Sequence, residues 1–185
     1  MKRQRSGYTM IEVLTVLVIA SVLASISVPY LQAMIAAAQL NSAVSDLHGA
    51  IGLARSQAIA RGSRVQLVPL DPGGANWREG WVVFIDTNGD RRPSPAEEVI
   101  ASHGPLPKGI AVHFNFTSNR TPYYIAFNSN GRSCSDTSSL AARWGTLSLY
   151  QGEQIRRIRI NMLGRARVCN PERDGASCGG GSEGG

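Results

Sequence analysis

Arginine side chains crowd into one stretch of this chain and define its clearest candidate chemistry. Of the nineteen basic residues, seventeen are arginines, and six of these fall within residues 156–173. A guanidinium group offers planar, paired N–H donors, which suit phosphate oxygens better than the point charge of lysine does. The six are Arg156, Arg157, Arg159, Arg165, Arg167 and Arg173. The cluster predicts a surface that binds phosphate groups.

Alternation along the run Ile155–Met162 divides this cluster between two faces. Successive side chains of a strand point to opposite faces, so one face of this run is expected to pack and the other to be cationic. The predicted packing residues are Ile158, Ile160 and Met162. Gly164 then permits a tight turn. The predicted phosphate-binding residues are Gly164, Arg165 and Arg167, with Arg156, Arg157 and Arg159 as supporting candidates.

Residues 86–97 hold a second group with recognisable spacing. Asp86, Asn88 and Asp90 alternate, and Glu97 stands at the twelfth position of an EF-hand-like loop. Arg91, however, occupies the position where a calcium loop requires glycine, and Asn88 with the glycine after it is a strong hairpin signal. We favour a structural turn, with calcium binding as the alternative.

Catalytic chemistry finds no support in the sequence. The three histidines are scattered, and no serine or cysteine stands in a recognisable nucleophile context. The cysteine spacings do not match a zinc site. We predict that the protein is not an enzyme and uses no metal or other cofactor.

Glu12 is the only charged residue between Met10 and Val28. Nineteen helical residues span the hydrocarbon core of a bilayer, about 30 Å. The basic residues of the first five positions indicate a cytoplasmic amino terminus, with the rest of the chain outside. The segment therefore predicts an inner-membrane anchor. A carboxylate at this depth is costly, so Glu12 is expected either to snorkel or to have a partner.

One long helix followed by short strands is predicted to position these groups. Apolar residues recur from Leu40 to Ala58 at steps of three and four, which predicts a helix ending near Arg61, with Gly62 as its stop. Seven strand-like runs follow, indicating an α+β fold with a mainly antiparallel sheet. The runs are Arg64–Leu70, Gly80–Asp86, Glu98–Ser102, Ile110–Phe116, Tyr123–Asn128, Gly145–Tyr150 and Ile155–Leu163.

The amino-terminal motif resembles the class III leader of type IV pilins and pseudopilins. The matching residues are Gly7, Tyr8, Thr9 and Glu12, with Pro29 at the family's helix kink; the family most often has phenylalanine in place of Tyr8. The resemblance implies that prepilin peptidase cuts between Gly7 and Tyr8 and methylates the new amino terminus. It also implies that Glu12 pairs with the amino terminus of a neighbouring subunit during filament assembly.

The block Trp77–Asp90, with Glu97–Ile100 after it, resembles the head domain of GspH/FimT-type minor pilins and pseudopilins. The resemblance implies the type IV pilin fold, in which the long helix packs on the sheet. The predicted segments are a leader (1–7), a transmembrane helix (8–28), its amphipathic continuation (29–61), a periplasmic or extracellular β-rich head (62–173) and a flexible Gly/Ser tail (174–185).

The run Gly164–Arg167 resembles the GRxR motif of FimT-type minor pilins, which bind DNA during uptake by competent bacteria. This implies sequence-nonspecific phosphate contacts and a role in natural transformation, with other major and minor pilins, prepilin peptidase and the inner membrane as the remaining partners. The alternative is a structural subunit, either a FimU-like pilus-priming minor pilin or a GspH-like pseudopilin of type II secretion. In that case the arginines would protect an edge strand or form salt bridges to a neighbouring subunit.

The three cysteines lie on the expected periplasmic side, where disulfides form, and the sequence permits three pairings. Cys134 and Cys169 both flank predicted strands, and the pilin resemblance implies that the C-terminal region is tied back to the sheet. We therefore favour Cys134–Cys169, which would leave Cys178 as a free thiol. Cys169–Cys178 is the main alternative.

Overall fold

The computed structural model describes residues 9–179, in which one long helix precedes a series of β-strands. Helix α1 comprises Met10–Arg61 and contains Pro29. Gly62, directly after it, has φ 62°, a left-handed conformation that suits glycine and ends a helix. The predicted helix end near Arg61 is confirmed.

Two parts of α1 have different surroundings. Side chains from Met10 to Ile35 are exposed, and this part is long and apolar enough to cross a membrane. The compact unit of the head begins at Gln39. From there on, buried residues recur with the period of a helix that has one packed face. They are Leu40, Ala43, Val44, Leu47, Ile51, Ala54 and Ala58.

Two antiparallel sheets follow α1 in the head, and this confirms the α+β prediction. Their strands are β1 Val65–Pro69, β2 Trp81–Phe84, β3 Val99–His103, β4 Ile110–Phe116, β5 Ile125–Phe127, β6 Ser133–Cys134, β7 Gly145–Gln151, β8 Gln154–Ile160 and β9 Ala166–Cys169. One sheet has the order β3-β2-β1-β5-β6 and the other β4-β7-β8-β9. Each of the seven predicted runs overlaps a strand.

The main core of the head lies between α1 and the inner faces of both sheets. Leu47 of the helix belongs to the same buried cluster as Phe127 of the five-stranded sheet and Ile158 of the four-stranded sheet. Along β4, buried residues alternate with more exposed ones, as expected for a strand with one face on the core. The outer face of the four-stranded sheet is therefore available for polar and charged side chains.

Candidate functional site

The arginine hairpin, residues 154–169, joins β8 to β9 through a turn built on Asn161. The backbone oxygen of Asn161 accepts the N–H of Gly164 at 2.9 Å, and its side-chain Oδ1 accepts the N–H groups of Leu163 at 3.1 Å and Arg165 at 2.9 Å. Gly164 has φ 77°. The structure therefore contains the turn predicted at Gly164. Met162, predicted to pack inward, lies in this turn and is 51% exposed, because β8 ends before it.

Strand pairing separates the arginines between the two faces of the sheet. Arg159 pairs with Thr146 on one side and Arg167 on the other, so these three side chains form a row on the outer face. Arg157 shares that face, since it lies two residues before Arg159. Arg156 pairs instead with a buried core leucine and belongs to the opposite face. The structure does not bring Arg156 together with the other arginines.

Helix α1 holds the hairpin turn in place through Arg55. Its Nε donates to the backbone oxygen of Gly131 at 2.8 Å, and its Nη2 approaches the backbone oxygen of Leu163 at 3.5 Å. A Cβ atom at Gly164 would overlap the Gly131 oxygen, so the turn and the β5–β6 connection touch at backbone level. The long helix thus positions the loop that carries Arg165.

The C-terminal segment covers part of the cationic face. It consists of helix α2, Pro171–Asp174, and a 3-10 turn, Gly175–Cys178. Arg157 donates to the backbone oxygen of Cys178 at 3.1 Å, while Arg159, at 2.7 Å, and Arg167 both donate to that of Ser177. Three of the predicted arginines therefore already bind carbonyl groups of their own chain.

Arg165 differs from these three. Its side chain is exposed, and within residues 9–179 its guanidinium group donates no hydrogen bond. Arg165 is two positions from Arg167, with Ala166 between them, and both side chains line the groove described below, which agrees with the prediction that they share one side. Of the predicted phosphate-binding arginines, Arg165 is the one whose whole guanidinium group is open within residues 9–179, whereas Arg159 and Arg167 each use one nitrogen and keep further N–H donors for a ligand.

A disulfide between Cys169 and Cys178 fixes the C-terminal segment, with Cα atoms 5.7 Å apart. The favoured pairing of Cys134 with Cys169 was wrong, and the alternative is correct. Cys134 belongs to β6 of the five-stranded sheet and packs among apolar residues, whereas Cys169 belongs to the other sheet. Burial raises the pKa of the Cys134 thiol to about 11, so it stays protonated.

The Gly/Ser tail also differs from its prediction. Residues 174–179 were expected to be flexible, but the disulfide and the arginine hydrogen bonds hold them in a helical turn in which Cys178 is fully buried. The rest of the predicted tail lies outside the described residues. No residue pattern indicates this turn, because the arginines bind its backbone oxygens, which every residue carries.

A groove of about 850 Å³ opens beside the hairpin. Its lining includes the cationic residues Arg159, Arg165 and Arg167 and the aromatic residue Trp144. The sequence prediction did not include Trp144, whose only signal was a lone large aromatic directly before a predicted strand. The groove combines guanidinium donors with an aromatic wall, which suits a ligand that has both anionic groups and flat rings.

The loop at residues 86–97 is a hydrogen-bonded turn. Asp86 accepts the N–H of Gly89 at 2.6 Å, and Glu97 accepts those of Thr87 at 2.8 Å and Ser94 at 3.0 Å. Both carboxylates thus bind donors within the loop. This supports the structural interpretation over the calcium alternative.

The predicted processing residues Gly7 and Tyr8 lie outside the described residues. Glu12 lies in the first turn of α1, where its backbone N–H donates to the side-chain oxygen of Thr9 at 3.4 Å. An acid in the first turn of a helix interacts favourably with the helix dipole. The Glu12 side chain is exposed on an otherwise apolar surface, where it can meet a positive group from another chain.

Comparisons with known proteins agree along most of the chain. Residues 43–164 match the family described as type II transport protein GspH, and residues 2–28 match the prokaryotic N-terminal methylation motif. The pilin-like protein PilA1 of Thermus thermophilus is 31% identical over 165 residues, which cover 89% of this chain and 98% of that protein.

Two crystal structures of the type IV minor pilin FimU from Pseudomonas aeruginosa share the fold. Their TM-scores are 0.56 and 0.54, at 19% and 18% identity. The matches cover 72% of this chain and 90% and 94% of the FimU chains.

Proposed function

Since the chain belongs to the GspH family of type IV minor pilins and pseudopilins, we propose that it is a minor pilin that binds DNA for uptake in natural transformation. Proteins of this family are structural and non-enzymatic, and this one is a membrane-anchored pilin. In the proposal, the head lies in the periplasm and later on the cell surface within a type IV pilus. DNA binds through phosphate contacts at the turn Gly164–Arg167.

The availability of Arg165 is the observation that carries the DNA-binding proposal. Its guanidinium group is exposed on a rigid turn, beside a groove that Arg159 and Arg167 also line. Contacts from a loop to phosphates position a nucleic acid without reading its sequence. Binding of this kind is expected to be weakly sequence-selective and strongly dependent on salt.

Filament assembly is the second part of the proposal. After cleavage at Gly7, the positive amino terminus of one subunit would pair with Glu12 of its neighbour. A carboxylate within an apolar membrane segment is costly without such a partner. The partners are therefore the other major and minor pilins, together with prepilin peptidase and the inner membrane.

A structural role without DNA is the second candidate. The observation in its favour is that Arg157, Arg159 and Arg167 donate hydrogen bonds to carbonyl groups of the C-terminal turn. These arginines would then stabilise the head of a FimU-like priming pilin or of a GspH-like pseudopilin of type II secretion. The two candidates differ in whether the head binds DNA.

Replacing both Arg165 and Arg167 with glutamine tests the DNA proposal. Each lost phosphate contact is worth about 1 kcal/mol, so we expect DNA affinity to fall roughly 30-fold. The slope of log affinity against log salt should become shallower by about 1.5, because two fewer counterions are released. A salt titration of fluorescently labelled DNA with the head lacking residues 1–35 measures both quantities. This fragment keeps every buried residue of α1, since the first is Leu40.

Arg78→Gln combined with Lys108→Gln provides the matched control. Both residues are exposed, and the pair removes the same positive charge as the arginine pair does. Both residues come before β4 in the chain, whereas the groove is lined by residues at the end of β4. The control should bind nearly as well as the parent. DNA binding that is absent at low salt, or equal in the two double variants, would support the structural candidate.

Mass spectrometry of the mature protein tests the processing proposal. We expect Tyr8 as the first residue, carrying an N-methyl group, because cleavage after Gly7 removes the basic head and keeps the apolar helix. Gly7→Ala should leave the leader attached. Recovery of an intact Met1 from assembled parent protein would contradict the proposal.

A further inference from the structure

Trp144 is the tryptophan of this head whose ring meets solvent. Trp77 and Trp81 are 0% and 2% exposed, whereas Trp144 is 46% exposed. Its backbone is nevertheless fixed, because its carbonyl oxygen accepts the N–H of Thr117 at 3.0 Å and β7 begins at the next residue. A large aromatic surface is thus exposed on a rigid support.

Strand register places Trp144 opposite Arg165. Gly145, the next residue, pairs with Ile160, and Ile160 pairs with Ala166. If both pairings are extended by one residue, Trp144 aligns with Asn161, and Asn161 aligns with Arg165. Trp144 and Arg165 therefore lie at the same level of the sheet, two strands apart. Neighbouring strands lie about 4.8 Å apart, so roughly 10 Å separates the two backbones. Trp144 and Arg165 both line the groove described above.

Phe116 also lines the groove but does not offer an open ring. It is 6% exposed and stacks on Phe114, with 4.3 Å between ring centroids. Phe114 in turn stacks on Tyr123 at 4.5 Å. This series belongs to the interior of the head, so Trp144 is the aromatic wall that a ligand can contact.

We propose that the groove binds single-stranded nucleic acid, with a base stacked on Trp144 and the adjacent phosphates on Arg165 and Arg167. The inference rests on the proposed DNA binding and names the form of nucleic acid that this site takes. In a duplex, both faces of each internal base are covered by neighbouring bases. In a single strand, a base can rotate onto an exposed ring, and stacking of this kind tolerates any base.

The fluorescence of Trp144 reports on this contact directly. The probes are a thymidine oligonucleotide and a blunt-ended duplex of equal length, at the same salt concentration. We expect the thymidine strand to quench the head's tryptophan emission, and the duplex to quench it much less. Because Trp77 and Trp81 are buried, most of the quenching should disappear in Trp144→Phe. Emission of the parent that does not change at saturating thymidine strand would overturn the inference.

Trp144→Ala separates stacking from charge. We expect it to weaken binding of the thymidine strand roughly 10-fold or more while duplex binding changes little, and Trp144→Phe to retain most of the affinity. Arg165→Gln with Arg167→Gln should weaken binding of both probes. Suppose that the arginine substitutions weaken duplex binding but Trp144→Ala leaves binding of the thymidine strand unchanged. This result overturns the inference and leaves the proposed function intact. Failure of both nucleic acids to bind overturns both.

Discussion

Gly164→Ala is expected to lower the free energy of unfolding of the head by about 3 kcal/mol or more. Two penalties combine at this position. Alanine must adopt φ 77°, a left-handed conformation that costs about 1–3 kcal/mol, and its Cβ atom meets the backbone oxygen of Gly131. Relief of that overlap requires backbone movement, which adds a cost of similar size. Urea denaturation of the head lacking residues 1–35 measures the change.

Gly152→Ala separates these two penalties. Gly152 also has positive φ, 56°, but a Cβ atom there would have no neighbour within 4 Å. This control should therefore cost only about 1 kcal/mol. Similar losses in the two variants would show that the Gly131 contact relaxes freely, and the turn would then not be fixed against the β5–β6 connection.

Periodicity was sufficient to predict the helix and most strands. The stripe from Leu40 to Ala58 repeats often enough to identify the packed face of α1. All six residues at the predicted positions are buried: Leu40, Val44, Leu47, Ile51, Ala54 and Ala58. The strand β6, Ser133–Cys134, has two residues and cannot display alternation. β9, Ala166–Cys169, has four residues directly after the turn and is absent from the seven predicted runs.

The candidate site was only partly predictable. Its turn and the common side of Arg165 and Arg167 follow from local rules for glycine and for strands. The groove depends on Trp144, which the pairing of β7 with β8 brings near Arg165. The disulfide likewise depends on which sheet each cysteine joins. The register of the β7-β8-β9 hairpins and the sheet that each cysteine joins are set by packing of the whole head, on which a single sequence gives little information.

Asp136→Asn is expected to lower the free energy of unfolding by about 3 kcal/mol at neutral pH. Asp136 is 6% exposed, and it accepts hydrogen bonds from the hydroxyl of Tyr124 at 2.7 Å and the Nε of Arg91. Removal of its charge leaves the half-buried guanidinium group of Arg91 without its counter-ion, and broken buried pairs typically cost about 3–5 kcal/mol. The control is Glu98→Gln. It breaks the exposed pair with Arg61 and should cost less than about 1 kcal/mol.

The sharper test is how the difference in free energy of unfolding between the parent and Asp136→Asn depends on pH. Burial acts to raise the pKa of Asp136, but hydrogen bonds from Tyr124, Arg91 and Ser135 outweigh it, so the pKa is lowered. Because the pKa of Asp136 is lower in the folded than in the unfolded chain, its carboxylate stabilises the folded state at any pH above its pKa in the unfolded chain, about 3.9. This contribution is lost as the pH falls through the lower pKa of the folded state. Denaturation curves of the parent and Asp136→Asn should therefore converge as the pH is lowered below about 4. A gap that stays constant from pH 7 into this acid range would mean that packing of the side chain, rather than its charge, stabilises the head.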